Sequence, residues 1–248
     1  MTWQHIQYVR FATIIVALLV VATPSFANNK IVLNTGIRDP FTTQDNQGFI
    51  DQLLREVFRR IGVEAEVIVY QTASKSLTNA NAGIDDGAAL RVKGLESKFP
   101  NLIQVPEKLM DNDFVAYSLG LDVVTDDWSS LDQHRIAYIN GWQIFQNNLG
   151  HHNKTTKTEN AQQMIDLLTN DSVDMVLYER WQGLWRASQL GISLTGHEPP
   201  LAQREMFMYL HKKHEDIVAP AAKALADMKT DGTYQTIFDK TLGVYLDQ

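Results

Sequence analysis

Residues 84–107, IDDGAALRVKGLESKFPNLIQVPE, hold the pattern around which the rest of the chain can be placed. The stretch opens with Asp-Asp-Gly, passes through small and apolar residues, and reaches Arg91 where the apolar run stops. It then turns through Gly94 and Pro100 into a second extended run at 102–105. An arginine at the end of a buried strand is suited to hold an anion, because its planar guanidinium can donate two parallel hydrogen bonds to a carboxylate. An ion-paired surface arginine is the alternative for this position.

The flanking sequence alternates between predicted strands and predicted helices. Apolar runs and period-2 alternation predict strands, and apolar residues spaced by three and four predict helices. The predicted strands are residues 30–36, 63–70, 87–91, 102–105, 113–120, 135–139, 173–178 and 205–212. The predicted helices begin near residues 49, 75, 142, 159, 179 and 217, the last region with a break at 231–232, and 151–158 is a polar loop or edge. This alternation predicts an α/β fold with largely parallel sheets, in which the pattern occurs twice.

The first 27 residues have the composition of a secretory signal peptide. Residues 1–10 carry one positive charge, residues 11–23 are uncharged and mostly apolar, and Ser25 and Ala27 place small residues before a cleavage point. A membrane-spanning helix needs about 20 apolar residues, so a permanent anchor is the less favoured alternative. We therefore expect export and a mature chain that begins near Asn28, most naturally in a bacterial periplasm.

Composition narrows the classes of partner. The chain has 22 Lys and Arg against 29 Asp and Glu, and the basic residues are scattered, so neither nucleic acid nor an anionic membrane is an expected partner. It has no cysteine. An exported domain without disulfides must be held by its apolar core, and a lipid-modified N-terminal cysteine is excluded.

Four segments together resemble the periplasmic solute-binding proteins of the polar amino acid type, which have the type II fold. The segments are an opening strand and amphipathic helix (IVLNTGIRDPF and GFIDQLLREVFRRIGVE), the strand that leads to Arg91 (DDGAALR), a strand–acid–helix element (VDMVLYERWQGLW), and the C-terminal LADMKTDGTYQTIFDKTLG. The resemblance implies two lobes, each a mostly parallel sheet flanked by helices, joined by a two-strand hinge. It places lobe 1 at 28–117, with 211–248 returning to it, and lobe 2 at 118–210.

The same resemblance implies a function and a set of site residues. The protein would capture a small organic solute, an amino acid or related carboxylate, for an ABC-type importer, as a monomer without a cofactor or metal. Arg91 would hold the ligand carboxylate, Glu179 would hold an amine or hydroxyl, and aromatic contacts and helix N–H groups would complete the site. The expected ligand-binding residues are Phe41, Tyr70, Arg91, Gly141, Trp142 and Glu179.

One departure from the family leaves the ligand open. The amino acid binders usually place a Gly-x-Thr element before the arginine, and this chain has Ala88-Ala89-Leu90 there, without a hydroxyl. Two other functions use the same fold: a ligand-sensing or partner-docking module for a membrane receptor, and an exported dehydratase-like enzyme. No nucleophile elbow, cysteine nucleophile or phosphate loop supports the enzyme. The histidine pairs at 151–152 and at 211 and 214 lack a third ligand at metal-binding spacing.

Overall fold

A computed structural model describes residues 30–150 and 152–246 of the chain. The predicted signal peptide and mature start, residues 1–28, lie outside the described residues. The strands are β1 Lys30–Thr35, β2 Glu64–Val69, β3 Gly87–Val92, β4 Leu102–Gln104, β5 Met110–Ser118, β6 Ile136–Ile139, β7 Thr155–Thr158, β8 Met175–Glu179, β9 Thr195–Gly196 and β10 Ala202–His211. The α-helices are α1 Phe49–Arg60, α2 Ala73–Asn81, α3 Gln143–Asn148, α4 Ala161–Thr169, α5 Arg180–Leu190, α6 Glu215–Thr230 and α7 Thr233–Thr241.

The strands pair in the order β2-β1-β3-β10-β5-β8-β6-β7, with β4 added to β10 and β9 to β5. The three strands at each end, β2-β1-β3 and β8-β6-β7, pair in parallel. The two central strands run antiparallel to each other and to their neighbours. The predicted α/β class is therefore confirmed, with the two predicted parallel regions joined through the antiparallel central strands into one ten-stranded sheet, and residues 155–158 form an edge strand.

Strands β5 and β10 connect the two halves. They pair with each other from Met110 to Phe114 and from Ala202 to Met206. Beyond this ladder β10 continues along β3 and β4, whereas β5 continues along β8 and β9. The two strands thus form the hinge, and both change partners near 114 and 206. The predicted lobe boundaries at 117–118 and 210–211 stay a prediction.

Each half has its own core. In lobe 1, α1 buries its apolar face between the sheet and the C-terminal helices α6 and α7. Burial of a large apolar side chain contributes roughly 1.5–3 kcal/mol, and α1 buries Phe49, Leu53, Leu54, Val57 and Phe58 completely. In lobe 2, one cluster around Phe145 and another around Met164 and Val176 form the core. Within the described residues, no helix is long and apolar enough to cross a membrane.

Helix α5 begins directly at the end of strand β8. Glu179, the last residue of β8, caps the helix by accepting a hydrogen bond from the Gln182 amide at 2.8 Å. The helix ends at Gly191, whose φ of 63° is the left-handed conformation that glycine adopts without strain. The strand–acid–helix element of the sequence therefore places one carboxyl group at a strand terminus that faces the hinge.

Candidate binding site

A cavity of about 570 Å³ lies between the lobes and against the hinge. This volume is in the range of sites for small organic molecules. Lobe 1 contributes Gly36, Ile37, Phe41, Ala73, Arg91 and Val92; the hinge contributes Asn112, Phe114 and Arg204; and lobe 2 contributes Gly141, Trp142, Gln143, Ile144, Asn147, Glu179 and Gln182. Both lobes and both hinge strands therefore supply the walls.

Arg91 lies on the lobe 1 side of this cavity and is 6% exposed. Its Nη2 donates to Ser76 Oγ, and its buried Nε has no hydrogen-bond partner in the part of the chain that the structure describes. Among the described residues, no carboxylate lies within ion-pair distance of the guanidinium. Burial without a counterion lowers the pKa of Arg91 to about 10. The side chain is still a cation at neutral pH, and it lacks the anion that a buried charge normally has.

A polar network behind Arg91 fixes its position. Ser76 Oγ accepts from Arg91 and donates to Asn34 Oδ1 at 2.5 Å. Asn34 Nδ2 in turn donates to Asp85 Oδ2 at 2.6 Å and to the Ser76 carbonyl at 2.9 Å. All of these side chains are buried, and the network joins α2, β1 and the turn before β3. Ser76 thus supplies a hydroxyl beside the arginine although residues 88–90 have none.

Glu179 lies on the lobe 2 side and is 1% exposed. Its Oε2 accepts from the Gln182 amide, whereas its buried Oε1 has no hydrogen-bond partner within the described ranges. Burial raises the pKa of Glu179 to about 8, so the group is mostly a neutral carboxylic acid at pH 7. Arg91 and Glu179, each with one polar atom that lacks a partner among the described residues, therefore line the same cavity from opposite lobes.

Aromatic side chains form the apolar wall. The Trp142 ring stacks on Phe145 with centroids 5.7 Å apart and contacts Phe114 edge-on at 6.0 Å. Gly141, with a φ of 91°, precedes this tryptophan and turns the chain into the short helix α3. Phe41 is 1% exposed and belongs to the lobe 1 core as well as to the cavity lining. The aromatic groups thus bound the cavity and also belong to the packed interior.

Five of the six predicted site residues line this cavity: Phe41, Arg91, Gly141, Trp142 and Glu179. Tyr70 is not among the lining residues; it follows the outer strand β2, and its amide donates to the Thr35 carbonyl. Its ligand contact stays a prediction. Sequence reasoning missed Ser76 and Asn34, which have no distinctive motif, and Arg204, which precedes the predicted strand 205–212 although β10 begins at Ala202.

The histidines do not form a metal centre in the part of the chain that the structure describes. His214 Nε2 bonds to Asp86 Oδ1 at 2.7 Å, and His211 Nδ1 accepts from the Lys213 amide at 3.3 Å. No group of three or more metal-ligating side chains is present among the described residues.

Comparison with known proteins identifies the fold of this chain. No protein-family model matches the sequence. An uncharacterized protein from Shewanella oneidensis is 21% identical over an alignment of 187 residues. The match covers 68% of this chain and 66% of that relative, slightly less than two thirds of its length.

Among solved structures, substrate-binding domain 2 of GlnP from Lactococcus lactis has a TM-score of 0.70 at 15% identity, covering 89% of this chain and 97% of that one. The GluR0 ligand-binding core from Nostoc punctiforme, in complex with L-glutamate, has a TM-score of 0.67 at 18% identity, covering 85% and 98%. A histidine kinase sensor domain with similarity to periplasmic binding proteins has a TM-score of 0.67 at 14% identity, covering 87% and 96%.

These likenesses define the class of fold. The chain has the two-lobed fold of the type II periplasmic amino-acid-binding proteins, so the predicted resemblance is confirmed at the level of the fold. The structures that it resembles are mostly binding domains rather than enzymes.

Proposed function

We propose that this protein binds a small organic solute with a carboxylate group in the cavity between its lobes. The observation that carries the proposal is the buried Arg91 side chain, which belongs to the cavity lining and has an unpaired Nε and no acidic partner among the described residues. A buried charge without a counterion is costly. A ligand carboxylate that accepts two hydrogen bonds from the guanidinium would remove that cost and provide orientation.

Glu179 is the proposed partner for an amine or hydroxyl of the same solute. Its free Oε1 can accept a hydrogen bond from either group. A ligand ammonium would favour the ionised carboxylate, and a hydroxyl would leave the acid neutral. Structures of similar fold include a ligand-binding core in complex with L-glutamate and a substrate-binding domain of GlnP, which supports an amino acid or a related carboxylate as the ligand class.

The test is direct binding to the purified protein. Thermal shift followed by titration calorimetry would compare amino acids, small carboxylates, polyamines and sugars. A ligand at 100 times its Kd stabilises the folded state by about 2.7 kcal/mol, which is a shift of several degrees in the melting temperature. We expect hits confined to carboxylates and lost in Arg91→Met. Binding of neutral sugars alone, or binding unchanged in Arg91→Met, would contradict the proposal.

We further propose that the protein acts as a monomer in the periplasm, after removal of residues 1–27, and delivers its solute to a membrane permease. The sequence of the first 27 residues supports export. Cell fractionation and N-terminal sequencing would test it, with a mature end near Asn28 as the expected result. Light scattering would report the mass of one chain, and solute uptake should fall when the protein is deleted.

A sensor function is the second candidate, because a histidine kinase sensor domain shares this fold. The binding site would be the same, and the solute would control docking on a membrane receptor. A deletion that leaves uptake intact but abolishes a transcriptional response to the solute would favour the sensor. A dehydratase-like enzyme would instead consume the bound solute in the absence of any partner, which chromatography of the incubated solute would detect.

A further inference from the structure

Arg204 is a second unpaired guanidinium at the cavity. It belongs to the hinge strand β10, where it lies opposite Asn112 of β5, and both residues line the cavity. Within residues 30–150 and 152–246 its guanidinium makes one hydrogen bond, from Nη1 to the neighbouring Gln203 carbonyl at 2.8 Å. No described carboxylate forms an ion pair with it. The side chain is exposed, so its charge is available to a solute.

The alternation of side chains along β10 explains why Arg204 lines the cavity whereas its neighbours on the same strand do not. Successive side chains of a strand point to opposite faces, and the residues on either side of Arg204 are used elsewhere. Gln203 Nε2 donates to Asp113 Oδ1 at 2.9 Å, and Glu205 Oε2 pairs with Lys93 Nζ at 2.9 Å. The neighbouring acidic groups, Asp113 and Glu205, therefore already have partners on the opposite face of the hinge strands.

The cavity has an excess of positive charge. Its charged or ionisable lining residues are Arg91, Arg204 and Glu179. Burial raises the pKa of Glu179 to about 8, so at neutral pH this acid does not balance either arginine. A solute with a single carboxylate would neutralise Arg91 and leave Arg204 without a partner.

We propose that Arg204 binds a second carboxylate, so that the preferred solute is a dicarboxylate, such as an acidic amino acid, and Arg204 determines this specificity. The inference rests on the proposed function, since it assigns a ligand class to the same cavity. A charge-assisted hydrogen bond from Arg204 is available to the second carboxylate but not, at the same strength, to an amide of the same shape. Arg204 thus selects against the neutral isostere.

The test uses matched pairs of ligands that differ only in the second carboxylate. Titration calorimetry on the full purified chain would compare L-glutamate with L-glutamine, and glutarate with glutaramate. We expect the diacid to bind about tenfold to hundredfold more tightly than its monoamide. Arg204→Gln should reduce that ratio to near one while leaving the Kd of the monoamide within about threefold. Arg204→Lys, which keeps the charge, should retain part of the ratio.

Lys93→Gln is the matched control. Lys93 is an exposed cation on the neighbouring strand end, outside the cavity lining, so its removal changes the general potential without removing a ligand contact. The ratio of diacid affinity to monoamide affinity should stay at the wild-type value in this variant. Equal binding of diacid and monoamide by the wild type, or a ratio unaffected by Arg204→Gln, overturns the specificity while the proposed function stands. Failure of every carboxylate to bind the wild type overturns the proposed function and the specificity with it.

Discussion

Two arginines of this chain, the buried Arg91 and the partly buried Arg180, have different roles. Arg180 Nε and Nη1 pair with Asp113 and Glu198 at 3.0 and 2.6 Å, and this arrangement connects helix α5 to the hinge and to the loop before β10. Arg91 is less exposed and has no acid to pair with among the described residues. A paired arginine contributes to the fold, whereas an unpaired one in a cavity lowers stability until a ligand arrives.

Arg91→Met should therefore abolish ligand binding without weakening the free protein. Methionine has a similar volume and no charge, so the unliganded variant should be as stable as the wild type or more stable by about 1–3 kcal/mol. Urea unfolding without ligand measures this difference. Arg180→Met is the contrasting variant, because it leaves Asp113 without its guanidinium and should lower the free energy of unfolding by about 1–3 kcal/mol. Equal losses in the two variants would mean that Arg91 is structural.

Glu179 should make the stability of the free protein depend on pH. Burial raises its pKa from the ordinary 4.5 to about 8 in the folded chain. Because the folded state then holds a proton that the unfolded state has lost, its contribution is fully present below pH 4.5 and is lost as pH rises through 8. The free energy of unfolding of the wild type relative to Glu179→Gln should fall by on the order of 4 kcal/mol across that window.

Urea unfolding of both proteins at several pH values gives this difference directly. Taking the difference between the two proteins cancels the pH-dependent contributions of other groups, such as Asp51, whose pKa burial raises to about 6. Glu96→Gln, on an exposed loop, is the control and should follow the wild type. A constant difference between wild type and Glu179→Gln from pH 4.5 to 8.5 would show that Glu179 is ionised in the free protein.

Ligand binding should release a proton if the solute carries an amine. At pH 6.5 the free protein holds Glu179 as the neutral acid, and an ammonium at Oε1 would favour the carboxylate. Calorimetry in buffers with different ionisation enthalpies should then detect close to one proton released per ligand, and none with Glu179→Gln. A hydroxy acid in place of the amino acid should release none. Proton release of equal size from both solutes would place its source outside Glu179.

At the scale of elements, the close packing of Gly183 against the ring of Tyr117 positions helix α5. A Cβ at Gly183 would lie 2.5 Å from Tyr117 Cε2, and Tyr117 Oη donates to the Arg180 carbonyl at 2.6 Å. Gly183→Ala should therefore move the helix away from β5 and lower the free energy of unfolding by about 1–3 kcal/mol, although alanine has the higher helix propensity.

The same displacement should weaken ligand binding, because α5 carries Glu179 at its N-terminus. Urea unfolding and calorimetry measure the two effects. Gln189→Ala lies on the exposed side of the same helix and should change neither. A Gly183→Ala variant as stable as Gln189→Ala would show that the Tyr117 ring can move aside without cost.

The elements also show what the sequence could and could not reveal. Strands β3 and β8 were predictable because they are buried, so their residues form apolar runs. The hinge strands β5 and β10 begin three residues before the predicted 113 and 205, because Met110 and Ala202 are each followed by polar residues. Arg204 was therefore not predicted to belong to the strand. Ser76 was hidden for a related reason, since a serine on a polar helix carries no sign that it faces a buried asparagine.

At the scale of the whole molecule, the hinge predicts that the lobes close around the ligand. The lack of cysteine permits labelling at introduced pairs. Ser74 and Asn148 are exposed and lie next to the cavity residues Ala73 and Asn147 on opposite lobes. Fluorophores at Ser74→Cys and Asn148→Cys should approach each other when the tightest carboxylate of the binding screen is added.

Two controls separate closure from local effects. A pair within lobe 1, Ser74→Cys and Lys98→Cys, should show no change in transfer efficiency. Adding Arg91→Met to the interlobe pair should remove the response. Ligand binding that calorimetry detects, without any change between Ser74→Cys and Asn148→Cys, would mean that the solute enters a site that is already closed.

The path of β5 and β10 also makes the second lobe an insertion within a single hairpin. Phe114 and Ala202 face each other across the ladder, so the chain leaves the first lobe and re-enters it at one point, and helices α6 and α7 then pack on α1. An Asn-Gly turn suits a two-residue connection between such strands. Joining 114 to 202 in this way would give a miniature protein that keeps Arg91 and its supporting network but lacks Glu179. Its affinity for a carboxylate would measure how much of the binding free energy the first lobe supplies without Glu179 and the rest of the second lobe.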